Sequence, residues 1–162
     1  MKGYKKLFYI GILIMIGALS GCLKKKIQIK DIEYLHFTYS EGYMANAYSV
    51  YTLELKNEKY TVTIKPTGIP DEEKKTYTIE KGKVKELENA LNGTQLYTWN
   101  GFNKVDKGVL DGDSFSLNLK YNEGNSITAS GYMRWPTDYG TIKQLIVNWF
   151  NDIALEKEKT DK

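Results

Sequence analysis

From Asp31 onward, hydrophobic and polar positions alternate with a period of two along much of this chain. Leu35, Phe37 and Tyr39 alternate with His36 and Thr38; Tyr51, Leu53 and Leu55 with Thr52 and Glu54; Tyr60, Val62 and Ile64 with Thr61 and Thr63. Successive side chains of a strand point to opposite faces, so this spacing predicts strands with one buried and one wet face. Between the second and third runs, Lys56-Asn57-Glu58-Lys59 leaves room for a tight two-residue hairpin turn. A loop through Pro66, Gly68, Pro70 and Asp71 follows, and Thr76 to Ile79 reads as a short fourth strand.

The period then changes. Val84, Leu87 and Leu91, with Ala90, fall at helical spacing, and Asn92-Gly93 is a usual helix stop, which predicts a helix from Lys81 to Leu91. Period two returns in Phe115, Leu117, Leu119 and Tyr121, then a turn over Asn122 to Asn125, then Ile127 and Ala129. Ile142, Leu145, Ile146, Trp149, Phe150 and Ile153 draw one continuous apolar stripe, the mark of an amphipathic helix. Thr141 and Gln144 match a capping box, with Thr137 or Asp138 as starts one turn earlier. The charged stretch 156–162 reads as a solvated tail. The order ββββαββα with short turns predicts an α+β fold in two layers, an antiparallel sheet of about six strands with two helices packed on one face. No internal repeat is visible.

The N-terminus changes the picture. Lys2, Lys5 and Lys6 precede an uncharged run from Leu7 to Leu19, and Ser20, Gly21 and Cys22 follow. A basic head, an apolar stretch and small residues are the three parts of a secretory signal. Leu19-Ser20-Gly21-Cys22 resembles the lipobox of bacterial lipoprotein precursors. That resemblance implies that residues 1–21 are a signal peptide and that Cys22 carries a diacylglyceryl thioether as the first residue of the mature protein. The uncharged run from Leu7 to Leu23 sits at the lower limit of the ~17–25 residues that span a bilayer, so an uncleaved anchor is the weaker reading. Residues 22–30 are then a lipidated tether and residues 31–155 one α+β domain. Location at the extracytoplasmic face of the cell membrane follows, with the membrane as first partner through Cys22.

Composition fits this reading. Cys22 is the single cysteine, so no disulfide can form within the mature domain and its stability has to come from a packed core. Removing 21 residues from 162 leaves 141, the size of one domain. The precursor charge of +3 is carried by Lys2, Lys5 and Lys6, so the mature chain is balanced and offers no general attraction to nucleic acid.

Candidate chemistry is sparse. His36 is the single histidine and lies inside a strand, which leaves no Cys-His pair and no zinc site of Cys and His. Asp106, Asp111 and Asp113 lie among glycines but do not follow a calcium-loop pattern; turns with acids capping backbone N–H groups are the better reading. No catalytic residue, metal or cofactor is assigned. Aromatic content stands out, because the chain after Gly21 holds 11 tyrosines, three tryptophans and four phenylalanines. Trp149 belongs to the helix stripe. Trp99 and Phe102, and Tyr132, Arg134 and Trp135, lie outside the regular alternation and form a candidate binding set, since exposed aromatics beside an arginine are what binding surfaces use. The competing reading, that Trp99 and Trp135 plug the ends of the core, carries more weight.

Trp99-Asn100-Gly101-Phe102, Leu110-Asp111-Gly112, Phe115-Ser116-Leu117, Ile127 to Gly131, and Pro136 with Tyr139 before a final amphipathic helix resemble a pattern in small, uncharacterised lipoproteins of Gram-positive bacteria. The likeness covers roughly Trp99 to Phe150 and implies location, not activity. Three functions are distinguishable. A noncatalytic binding module for an envelope protein or cell-wall component leads. A small-ligand carrier predicts a pocket between sheet and helices. An envelope hydrolase predicts two carboxylates meeting in a cleft.

Overall fold

A computed structural model describes residues 27–42 and 48–160; the expected signal peptide 1–21, Cys22 and residues 23–26 lie outside the described residues. Every alternating run forms a strand. β1 (Ile32–Ser40), β2 (Tyr48–Lys56), β3 (Lys59–Lys65) and β4 (Lys75–Ile79) are followed by helix α1 (Lys81–Asn92). A short 3-10 turn, Leu96–Trp99, leads into β5 (Phe102–Val105), then come β6 (Ser114–Tyr121), β7 (Asn125–Tyr132) and helix α2 (Tyr139–Thr160). The fold is α+β, with two helices on a single sheet ordered β4-β3-β2-β1-β6-β7-β5.

The sheet has seven strands against the about six read from the sequence, and it is antiparallel except for one parallel pair. The addition is β5, which pairs in parallel with β7 (Phe102 opposite Ala129, Val105 opposite Tyr132). Its four residues carry no alternation, and three of them are exposed, so periodicity could not reveal it. Gly101 N–H donates to the Thr128 carbonyl and the Asn100 side chain accepts from Thr128 N–H, and these bonds seat the strand. The other pairings are antiparallel, with β1 in the centre between β2 and β6.

Two hairpins set the register. Asn57 and Glu58 both adopt positive φ, the type I′ geometry whose twist matches that of the flanking strands. The β6–β7 connection takes three residues, Asn122, Glu123 and Gly124, all at positive φ.

One face of the sheet makes the core. Leu35 and Phe37 of β1, Leu53 of β2, Val62 of β3 and Leu117 and Leu119 of β6 are buried with Val84, Leu87 and Leu91 of α1 and Ile142, Ile146, Phe150 and Ile153 of α2. Each such side chain contributes about 1.5–3 kcal/mol on full burial, which fits stability without crosslinks. The helices also touch each other, where the Trp149 indole N–H donates to the Lys83 carbonyl.

The helix ends refine the reading. At Gly93 the chain keeps right-handed φ, and α1 instead closes with Thr94, whose N–H and hydroxyl both donate to the Leu91 carbonyl. Ile142 N–H bonds the Asp138 carbonyl, so α2 starts ahead of the Thr141 box. The stretch read as a solvated tail is helical through Thr160; Glu156 pairs with Lys83 and Glu158 with Lys75, which bind the last turns to the rest of the domain.

The opposite face carries the polar half of each alternation. Thr76, Thr63, Thr52, His36, Asn118 and Thr128 form one row across six strands and remain partly or fully exposed.

Candidate functional site

The sequence-predicted binding residues come together at the end of the sheet where β7 stops, and the structure sorts them. Phe115, buried on β6, is ringed by Trp99 at 5.6 Å, Tyr139 at 4.7 Å, Trp135 at 5.7 Å and Phe102 at 6.2 Å between centroids. Trp99 is the inner member. It is fully buried, its indole N–H donates to the Thr137 carbonyl at 2.9 Å, and it stacks on Tyr139. It therefore belongs to the core and offers no surface to a partner, which corrects its place in the candidate set. Phe102 is half-buried on the same ring cluster. Burial pushes the Tyr139 phenol well above its ordinary pKa, with Tyr39, Asp113 and Glu41 adding to the rise.

Trp135 is the outer member. It stacks on Tyr139 at 4.5 Å and 24° yet keeps 39% of its surface exposed. The backbone places it there through a tight reversal after β7. A Cβ at Gly131 would run into the Arg134 carbonyl oxygen and lie 2.6 Å from Phe115, so only glycine lets the chain fold back over the ring cluster. Met133 takes positive φ and its N–H donates to the Asp113 carbonyl.

Around Trp135 the surface mixes apolar and basic side chains. Lys104, Val105, Arg134 and Trp135 line a shallow cleft of about 580 Å³. Val105, Met133 and Leu110 are exposed in the segments around it, the last at 95%. Arg134 is tied to Asp106 at 2.9 Å, an exposed pair of modest strength. Tyr132, its hydroxyl donating to the Leu110 carbonyl, holds the loop before β6 against β7. β5 ends the sheet here, so its outer backbone edge has no strand beside it among the described residues.

The remaining candidates have local duties. Asp106 accepts Gly108 N–H and Asp113 accepts Gly42 N–H at 2.6 Å, the backbone-capping role expected of these acids. His36 lies on the open face beside Tyr34, with Nδ1 and the Thr52 hydroxyl 3.0 Å apart, and burial lowers its pKa.

One constellation at the opposite end was missed by sequence reasoning. The backbone of Gln28 to Lys30, read as tether, is gripped by two asparagine side chains. Asn92 Oδ1 accepts Ile29 N–H at 2.8 Å while its amide donates to the Ile29 carbonyl at 2.7 Å. Asn122 Oδ1 accepts Lys30 N–H and its amide donates to the Gln28 carbonyl, both at 2.8 Å, and Asn122 N–H donates to the Lys30 carbonyl. Buried Glu88 accepts Ile32 N–H at 3.0 Å, and Ile29 itself is buried. The alternation of Ile27, Gln28 and Ile29 was the only sequence signal for this extended segment.

The fold and site define a single-sheet α+β domain with one aromatic-rimmed end. No protein-family model matches the chain, and no curated protein matches it either.

Proposed function

We propose that this protein is a bacterial lipoprotein, anchored through Cys22 at the outer face of the cell membrane, whose domain is a noncatalytic binding module for an envelope protein or cell-wall component. The anchor rests on the Leu19-Ser20-Gly21-Cys22 motif after a basic, apolar leader. The binding role rests on one observation: Trp135 and Val105 are large apolar side chains left exposed in one cleft with Lys104 and Arg134, beside the open edge of β5. Apolar side chains clustered at a rim with an arginine are the composition of recognition surfaces.

Two measurements test this. Mass spectrometry of the membrane-extracted protein is expected to find a lipid-modified Cys22 at the new N-terminus, and Cys22→Ser is expected to stop processing; an unmodified thiol with the leader attached sinks the anchor. A photo-crosslinking residue at position 135 is expected to give a discrete adduct in cells that the same residue at position 61 does not. Identical adduct patterns from both positions would remove the binding role from this end.

A further inference from the structure

Lipoproteins need a leash, and its effective length is set where the chain first becomes fixed to the fold. Among the described residues that point is Gln28, four residues ahead of β1, because Asn92 and Asn122 hold the backbone of Gln28, Ile29 and Lys30 from two different elements. Five bonds hold three residues: two from each asparagine side chain and one from the Asn122 backbone. Ile29 adds burial against the core. A side-chain amide that both donates to and accepts from a backbone mimics a neighbouring strand and satisfies polar groups that would otherwise be lost on burial.

From Cys22 to Gln28 the chain is six residues, with an extended reach of at most about 22 Å. The turns flanking the clamp are Asn57–Glu58 and Asn122–Gly124, since β1 begins opposite the ends of β2 and β6. Trp135 follows β7, which starts at the clamped end and runs eight residues away from it, about 26 Å.

We infer that Asn92 and Asn122 are positioning residues that fix the domain upright on the membrane, with the clamped end against the headgroups and the Trp135 end outermost. This rests on the anchored reading proposed above and adds to it which end faces lipid and which faces a partner. The partner of the Trp135 end is then reached away from the bilayer surface, and the lipid surface meets the turns of the β2–β3 and β6–β7 hairpins.

Among the described residues all strands and helices lie C-terminal to Cys22, so the chain from Cys22 onward holds every element of the described fold. The test uses that chain, isotopically labelled and joined through its single thiol to a maleimide lipid in nanodiscs of phosphatidylglycerol and phosphatidylcholine that contain a gadolinium-chelating headgroup. Orientation is then read independently of whether cells lipidate Cys22, which the mass measurement above decides separately. Amide signals of Asn57, Glu58, Glu123 and Gly124 are expected to broaden at least threefold more than those of Leu110, Met133 and Arg134. The Asn92→Ala, Asn122→Ala double variant is expected to lose that gradient while its β1 amides keep their native shifts. Hydrogen exchange on the unaltered protein supplies a readout that does not need a folded variant, with Ile29 and Lys30 amides expected to exchange at least tenfold more slowly than a free chain. Uniform broadening in the unaltered protein, broadening greatest at the Trp135 end, or free-chain exchange at Ile29 and Lys30 would each overturn the inference.

Discussion

At the end where β1 begins, the chain is fastened by amides; at the end where β7 stops, it is fastened by rings. Asn92, Asn122 and Glu88 at the first end spend directional bonds on one short backbone segment, and each bond has a single correct geometry. Trp99, Phe102, Phe115, Trp135 and Tyr139 at the second pack at centroid distances of 4.5–6.2 Å with varied interplanar angles. Ring contacts are broad in angle and survive partial exposure, whereas a clamped backbone cannot slide without losing several bonds at once. The first end therefore holds its backbone in one place, and the second leaves part of an aromatic cluster exposed.

The sharpest way to break the ring end is Gly131→Val. The added side chain has no room beside the Arg134 carbonyl and Phe115, and the reversal that places Trp135 cannot close. A loss of at least about 3 kcal/mol, or failure to fold, is expected in urea denaturation. Next comes a contrast within the cluster. Trp99→Ala is expected to cost about 3–5 kcal/mol, because it opens a cavity and orphans the Thr137 carbonyl. Trp135→Ala is expected to cost less than about 1.5 kcal/mol, since part of that ring is already in water. Equal losses would mean that Trp135 is a core residue and not a free surface.

The amide end should yield smaller losses with a different signature. Asn92→Ala leaves Ile29 N–H and carbonyl without their partner and is expected to cost about 1–3 kcal/mol by urea denaturation. Asn122→Ala falls in the same range, with Asn122 N–H still bonding the Lys30 carbonyl. If either substitution leaves both stability and Ile29 exchange unchanged, the clamp contributes nothing to the fold.

Much of this architecture was legible in the alternation. Runs such as Leu35-His36-Phe37 and Leu117-Asn118-Leu119 became strands with the expected face inside, and the Ile142 to Ile153 stripe became the buried side of α2. Period is a local property, so it shows a strand only where one face is buried and the other wet. β5 fails that condition, because only Phe102 of its four residues is partly buried, and its place beside β7 is set by long-range backbone bonds. The clamp was illegible for a related reason. Asn92 signals a helix stop and Asn122 a turn, both true, and neither role announces that its amide will grip residues 63 or 92 positions away. For the aromatic set, the sequence located the cluster but could not rank its members by depth. Trp99 and Trp135 are alike as residues and both stack on Tyr139, yet the first is fully buried and the second is partly exposed.

Midway between the two ends, His36 offers the smallest effect. It sits on the open face with Tyr34 stacked 6.2 Å away, Thr52 at hydrogen-bond distance, and Lys120 over the Tyr34 ring. Partial burial lowers its pKa from 6.5, because removal from water disfavours the charged ring. The unfolded chain, with the ordinary value, therefore binds more protons between 6.5 and the lower folded value. Stability contributed by neutral His36 is complete above pH 6.5 and declines as pH falls below it toward the folded pKa. His36→Asn cannot take up a proton in this range, so its urea midpoint should fall less than that of the unaltered protein between pH 7.5 and 5.5. A variant that loses more stability than the parent on acidification would show that the ring is stabilised as the cation, and that the face between the two ends is electrostatically unlike the one described.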